Sequence, residues 1–528
     1  MPRNCCRQSG SIQQVSGEPS QSGLGFSHDH CVKFEFPNYQ VSGGWGRCAA
    51  PRVLYRCSSK DIESYMNQIR LYKIALLAGL IVLNLQAYSL AIEPCEIQVI
   101  DAQNQWPVPL VELTTNHQVR FVTDNAGRIA FDLPELMNVE TWFSIEGHGY
   151  GVKPDGFGNR GVRLTPRPGE TLIIEVHRQL PAKRLGRLTG AGIFAESQKL
   201  GKELDWKESG VLGSDSVQIS QYNGKLFWAW GDTVVPEYPL GIFHMTSATS
   251  ELNPLKTFEP PVRLEYNYFR DNRGKPRGVA QFPGKGPTWI SRYTTLSDKD
   301  GKQHLVGAYV KIQPPLTAYE SGLCVWNDET EQFDHHTVLW TKSKETTKPL
   351  LAHDGHPIFW TDATHKKWLF FGDPFPSLKM PATFESWSNP ETWEYLEPQK
   401  TVTAADGNKS IDVHRGSIAW NDYRKKWIAV FTQNHGKESE LGEIWYVEAD
   451  HPTGPWDGAI KVVTHNKYTF YNPRLHPELT DADSPILLFE GTYTQQFSGN
   501  PEATPRYDYN QILYRLDLND PVIVQSLQ

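Results

Sequence analysis

Beyond residue 57 this 528-residue chain has only two cysteines, Cys95 and Cys324, and it has no C-x-x-C pair anywhere. That excludes a zinc ribbon and a dithiol redox motif. The other five cysteines crowd into the first 57 residues. Positive charge is not in excess either. Lys and Arg number 52 against 60 Asp and Glu, a net charge of −8, so the chain carries no electrostatic footprint for nucleic acid. Long apolar runs are missing too. The run Ile74 to Leu85, interrupted by Asn84 and followed by Gln86, is too short for a membrane span. It follows Arg70 and Lys73 and precedes Ser89-Leu90-Ala91, so residues 66–91 read as a secretory signal peptide starting at Met66. Residues 1–65, rich in Ser, Gly and Gln, then read as a disordered extension or an overlong reading frame. The mature protein would begin near Ile92, secreted or periplasmic, with no stable membrane span after signal cleavage.

Aromatic residues, by contrast, are plentiful: 17 Trp, 22 Tyr and 23 Phe make up 12% of the chain. Such residues favour packed β-sheets, and flat rings also stack on pyranose faces. From residue 214 onward one pattern occurs five times. An apolar strand with a polar start leads into an Asn, Asp or Gly turn, and an aromatic strand returns. The copies start at Asp215, Thr288, Asp354, Arg415 and Asn472. Their turns near 223, 300, 363, 422 and 482 recur about every 60 residues, as expected of an array or propeller. The fold class expected is all-β: a five-bladed β-propeller over 205–528, preceded by a β-sandwich over 92–180 and a basic linker over 181–204. The sandwich is read from six short alternating runs between Ile97 and Val176, separated by turns such as Asp124-Asn125-Ala126-Gly127.

The stretch Val108-Pro-Leu-Val-Glu-Leu through Thr123-Asp124-Asn-Ala-Gly127 resembles the carboxypeptidase-regulatory or transthyretin-like sandwiches, which implies an accessory module. Ser214-Asp215-Ser-Val-Gln-Ile with Asn223-Gly224 and Phe227-Trp228 resembles the first blade of the arabinanase–invertase superfamily of five-bladed glycosidases. His353-Asp354-Gly-His356-Pro resembles the acid-bearing blade, and His414-Arg415-Gly-Ser a substrate-contacting one. Two departures are evident. The acid position carries Asp354 instead of the usual glutamate, and the second copy begins at Thr288-Trp289 with no carboxylate.

Glycoside hydrolysis needs one carboxyl to protonate the leaving oxygen and another to activate water or attack the sugar. The candidates are Asp215 as base and Asp354 or Glu320 as acid. His414, Arg415, Trp289, His356 and Glu490 are the substrate-binding candidates. Each has a plainer reading: Asp215 as a strand cap, Asp354 as the start of a turn, the histidines as satisfied structural residues, Glu490 as an ion-pair partner. Asp232 and Asp373, which follow second strands, read as turn residues. No cofactor or catalytic metal is expected, although the axis of such a ring allows a structural calcium ion. The expected partner is a polysaccharide or oligosaccharide substrate. A non-catalytic propeller binding glycan or protein at the cell surface and a polysaccharide lyase remain the alternatives.

Overall fold

The computed structural model describes residues 70–71, 73–74, 92–253, 255, 259–349 and 355–528. The chain divides into two compact units, Met1–Ser89 and Leu90–Gln528, and every element below belongs to the second. Of the expected signal segment 66–91 only residues 70, 71, 73 and 74 are among those described, so that expectation, like residues 1–65, falls outside the description. Among the described residues no helix is long and apolar enough to cross a membrane.

Residues 95–178 form two four-stranded sheets. One aligns Cys95–Asp101 antiparallel to Arg128–Phe131 and parallel to Thr171–Arg178. The other centres on Glu112–Thr115 beside Thr141–Glu146. Alternation does the sorting, because inward residues recur every second position. Ile97, Val99, Ile129, Phe131 and Val176 of one sheet meet Leu113, Phe143 and Ile145 of the other in a single apolar core.

Among the described residues a small three-stranded antiparallel sheet, Gly213–Ser214, Thr233–Val235 and Tyr238–Ile242, accompanies five larger antiparallel sheets that follow in chain order. Each begins as a hairpin whose turn falls where the repeat places it: Gln218–Tyr222 with Lys225–Trp230, Thr288–Ser297 with Gln303–Gln313, His356–Thr361 with Lys367–Gly372, Ser410–Asn421 with Lys426–Gln433, and Thr469–Leu475 with Ile486–Thr494. Consecutive first strands are neighbours. The fifth returns to the first through side chains: Tyr471 donates to Asp215 at 2.8 Å and Asn472 to Ser216 at 2.6 Å. The starts of all five first strands therefore meet at one end of the assembly.

The expected linker is structured. Within residues 181–204, Lys183–Arg187 is a strand paired antiparallel with Asn510–Asp517 as the outer member of the fifth sheet, and Ala195–Lys199 is a short helix. The basic residues misled because their charges are buried rather than solvated. Arg184 and Arg187 are each 2% exposed. Arg184 donates to the carbonyls of Pro109, Leu110, Gly147 and His148 at 2.8–3.1 Å and lies over the Tyr150 ring. Asn125 exchanges bonds with the Arg187 backbone in both directions, at 2.8 and 2.9 Å. Asn125→Ala would orphan a buried N–H and C=O together. A loss of about 1–3 kcal/mol is expected, read as a lower urea midpoint at unchanged slope.

Candidate active site

Three of the five first strands carry a β-bulge at the same level. Arg292-Tyr293 stands opposite Gly307, His414-Arg415 opposite Thr432, and Asn472-Pro473 opposite Gly491. A bulge inserts an unpaired residue and re-aims side chains, which is why bulges recur beside functional sites. Arg292, Asn472 and Ser216 also hold positive φ of 54°, 52° and 50°, a strained state that the surrounding structure must over-determine.

This end opens into a cavity of about 680 Å³ whose lining includes Asp215, Asp232, Trp289, His356, Asp373, His414, Arg415, Tyr471 and Tyr509. Of the sequence candidates the structure thus brings together Asp215, Trp289, His356, His414 and Arg415. Asp354 lies outside the described residues, although Gly355, next in the chain, lines the cavity.

Glu320 and Glu490 are placed elsewhere, which corrects the expectation for both. Glu320 sits on the third strand of its sheet opposite Lys311 and accepts a bond from the Tyr309 hydroxyl at 2.9 Å. Glu490 is fully buried on the second strand of the fifth sheet, 2.9 Å from His476, whose side chain is equally buried. Neither lines the cavity.

The carboxylates fasten neighbouring sheets to one another. Asp215 accepts from Tyr471 of the fifth sheet. Asp232 accepts from the Trp289 indole of the second at 3.1 Å. Asp373, of the third, accepts from the Gly416 N–H of the fourth at 3.0 Å and lies 3.7 Å from the Arg415 guanidinium.

Two of these groups are shifted far from ordinary carboxylates. Burial pushes Asp215 up to about 6, against the opposing pull of the Tyr471 and Tyr509 hydroxyls. Its Oδ1 is shielded and has no hydrogen-bond partner. Burial, then the neighbouring Asp215 charge, pushes Asp232 up to about 7. Both effects disfavour the charged form. His356 is held well below 6.5 by burial and by Arg474, His476 and Arg415, so its imidazole is neutral near pH 7.

Sequence reading set Asp232 and Asp373 aside as turn residues. The signal was nonetheless present in the hairpin. In an antiparallel pair the start of the first strand and the end of the second share one edge, so Trp230-Gly231-Asp232 returns to Asp215, and Phe371-Gly372-Asp373 returns to His356. Gly231 is required by this closeness, because a Cβ there would lie 2.1 Å from Asp215 Oδ1. Gly231→Ala is expected to displace that carboxylate at a cost of about 1–3 kcal/mol, with a cooperative unfolding transition retained. Thermal denaturation beside the parent would show it.

Among the described residues no group of three or more His, Cys, Asp or Glu could hold a metal ion.

No protein-family model matches this chain, and no curated protein matches it. Solved structures similar to it include glycoside hydrolases. One is an exo-β-1,3-galactanase from Phanerochaete chrysosporium, 9% identical, with 58% of this chain and 61% of that one covered at a TM-score of 0.33. This chain thus spans about three fifths of that protein's length. An exo-1,5-α-L-arabinanase from a bovine ruminal metagenomic library is 10% identical over 59% of this chain and 95% of its own, TM-score 0.33. A β-xylosidase/α-arabinofuranosidase from a compost microbial metagenome is 12% identical over 59% and 93%, also at 0.33.

Proposed function

We propose that this chain is an exported glycoside hydrolase acting on a polysaccharide or oligosaccharide. On this reading the five sheets are the blades of a five-bladed β-propeller, and residues 95–178 are an accessory β-sandwich fixed to it. The observation that carries the proposal is the pair Asp215 and Asp232, facing one cavity with both carboxyls raised toward neutrality. Perturbed carboxyls converging in a cleft are what acid–base chemistry at neutral pH requires.

Asp215, with the Tyr471 hydroxyl supporting its charged form, serves as base. Asp232, which holds its proton to higher pH, serves as acid. Asp232 replaces Glu320 in that role, and Asp354 is the second candidate for it. Arg415, His414 and neutral His356 offer hydrogen bonds to sugar hydroxyls, and Trp289 offers an aromatic face. A cavity of this size lies within the range of small-ligand sites and accommodates a terminal sugar.

The test is a polysaccharide and oligosaccharide panel assayed with the purified chain beside Asp215→Asn, Asp232→Asn and Asp354→Asn. Cleavage lost in Asp215→Asn, and in Asp232→Asn or Asp354→Asn, supports the proposal. Saturable sugar binding without cleavage by the unmodified chain would instead make it a non-catalytic glycan-binding propeller.

A further inference from the structure

The cavity combines charged or polar groups, Asp215, Asp232, Asp373, His356 and Arg415, with apolar ones. Of the apolar lining, Val217, Met245 and Ile290 are buried, Leu240 and Leu441 half-buried, and Leu316 and Phe497 exposed. Leu316 is 76% exposed and Phe497 69% exposed, so these two stand at the opening, and Phe497 meets the ring of Tyr471 edge-on. Gln496 is the exposed polar residue beside them.

Two separate costs are concentrated here. Large apolar side chains held in water forgo the free energy of burial. Leu240, Leu316 and Phe497 also hold positive φ of 50°, 109° and 64°. That backbone region is costly for residues bearing a Cβ, and Gly, Asn or Asp normally fill it. The three belong to different sheets: Leu240 lies within the Tyr238–Ile242 strand, Leu316 in the connection between Gln313 and Thr317, and Phe497 in the one after Thr494. Separate segments thus bring apolar side chains at positive φ to one opening. Strain of this kind persists where a function uses it.

We infer that this collar is a subsite for an apolar group, and that the substrate is a glycoside whose leaving group is an alkyl or aryl aglycone. The inference rests on the hydrolase reading and replaces its polysaccharide or oligosaccharide with a glycoside of an apolar aglycone, so cleavage confined to polysaccharides would overturn it. A second sugar would gain little from Leu316, whose methyl groups offer its hydroxyls no partner. An alkyl chain or aromatic ring covers Leu316 and Phe497 and removes their exposed surface from water. The sugar end then reaches the carboxyls in the cavity.

The experiment compares methyl and octyl glycosides of one sugar, with alcohols of similar leaving ability, across a panel of common sugars. Full-length protein is used throughout, with Leu316→Asn and Phe497→Asn beside it. Expected is a kcat/KM at least tenfold higher for the octyl member of the cleaved pair, falling toward equality in both variants. Isothermal titration of the same glycosides against Asp215→Asn gives a readout independent of turnover, with tighter octyl binding expected. Equal kinetics for the two glycosides, or an octyl advantage that survives both substitutions, overturns the collar while leaving the hydrolase intact. Octyl binding lost in the collar variants, but without cleavage of any glycoside, supports the collar as a binding site and sinks the hydrolase. Failure to bind or cleave any member sinks both.

Discussion

Asp215→Asn is expected to lower kcat/KM by about 10²–10⁴-fold, the range contributed by a positioned general base. The substitution keeps the shape of the side chain and an oxygen able to accept the Tyr471 bond, so the fold has no reason to fail. The pH profile supplies the sharper signature. The base works once deprotonated, so activity rises through about 6, where Asp215 titrates. The acid works while protonated, so activity falls through about 7, where Asp232 titrates. A narrow bell between these values is expected, and a flat profile from 5 to 8 would sink the assignment. Asp232→Asn removes the falling limb together with most of the activity. Stability moves the opposite way. A carboxyl whose folded pKa lies above its unfolded value near 3.9 binds more protons in the folded state. Its burial therefore costs stability progressively as pH climbs from about 4 to 6. Asp215→Asn deletes that cost, so the inactive variant should melt higher than the parent at pH 8. Lower activity with higher Tm separates loss of chemistry from loss of structure.

Arg184→Met is expected to cost about 4 kcal/mol or more. Methionine preserves much of the apolar stem but donates no hydrogen bond. The buried carbonyls of Pro109 and Leu110 and the half-buried carbonyl of His148 would lose this donor at once, while that of Gly147 keeps the Tyr150 N–H at 3.3 Å. Each such orphan costs about 1–3 kcal/mol before relaxation, against a total stability of about 5–15 kcal/mol for a folded domain. The Tyr150 ring would also lose its cationic neighbour 5.0 Å away. Lysine at 184 restores a charge but not the planar fork that reaches four acceptors, so partial rescue is the expected result. Urea unfolding followed by tryptophan fluorescence measures both variants. Parental stability in Arg184→Met would show that the residues 95–178 are held by their other contacts instead.

The repeat was legible because its signals are local. Asn223-Gly224, Asp300-Gly301 and the turn before Lys426 sit between strands whose own alternation marks them, and hairpin pairing follows from proximity along the chain. That Asp215 and Arg415 would share one end of the sheets was legible for the same reason, and both line the cavity there. Three kinds of feature were not. The bulges at Arg292-Tyr293, His414-Arg415 and Asn472-Pro473 leave no mark in hydrophobic pattern, because one extra residue in a strand of ten looks like strand. Glu320 and Glu490 needed register: one faces Lys311 and Tyr309, the other His476, and only the ladder says so. The pairing of Lys183–Arg187 with Asn510–Asp517 joins segments more than 300 residues apart, and nothing near Arg184 announces a partner so distant. Composition pointed the wrong way there, since a basic stretch reads as solvated unless its acceptors are known.

That distant pairing also sets a timetable. Synthesis runs from the N-terminus, so Lys183–Arg187 leaves the ribosome long before Asn510–Asp517 exists. At about 5–20 residues per second the wait is on the order of half a minute. During it the strand has an open edge, and the Arg184 guanidinium lacks the Tyr514 neighbour it has in the finished protein. Open edges invite pairing with other chains, and contacts this non-local slow folding. Asn510–Asp517 therefore decides whether the earliest strand of the fifth sheet is protected. A nascent chain stalled short of residue 510 would be prone to aggregate, however complete its other four sheets.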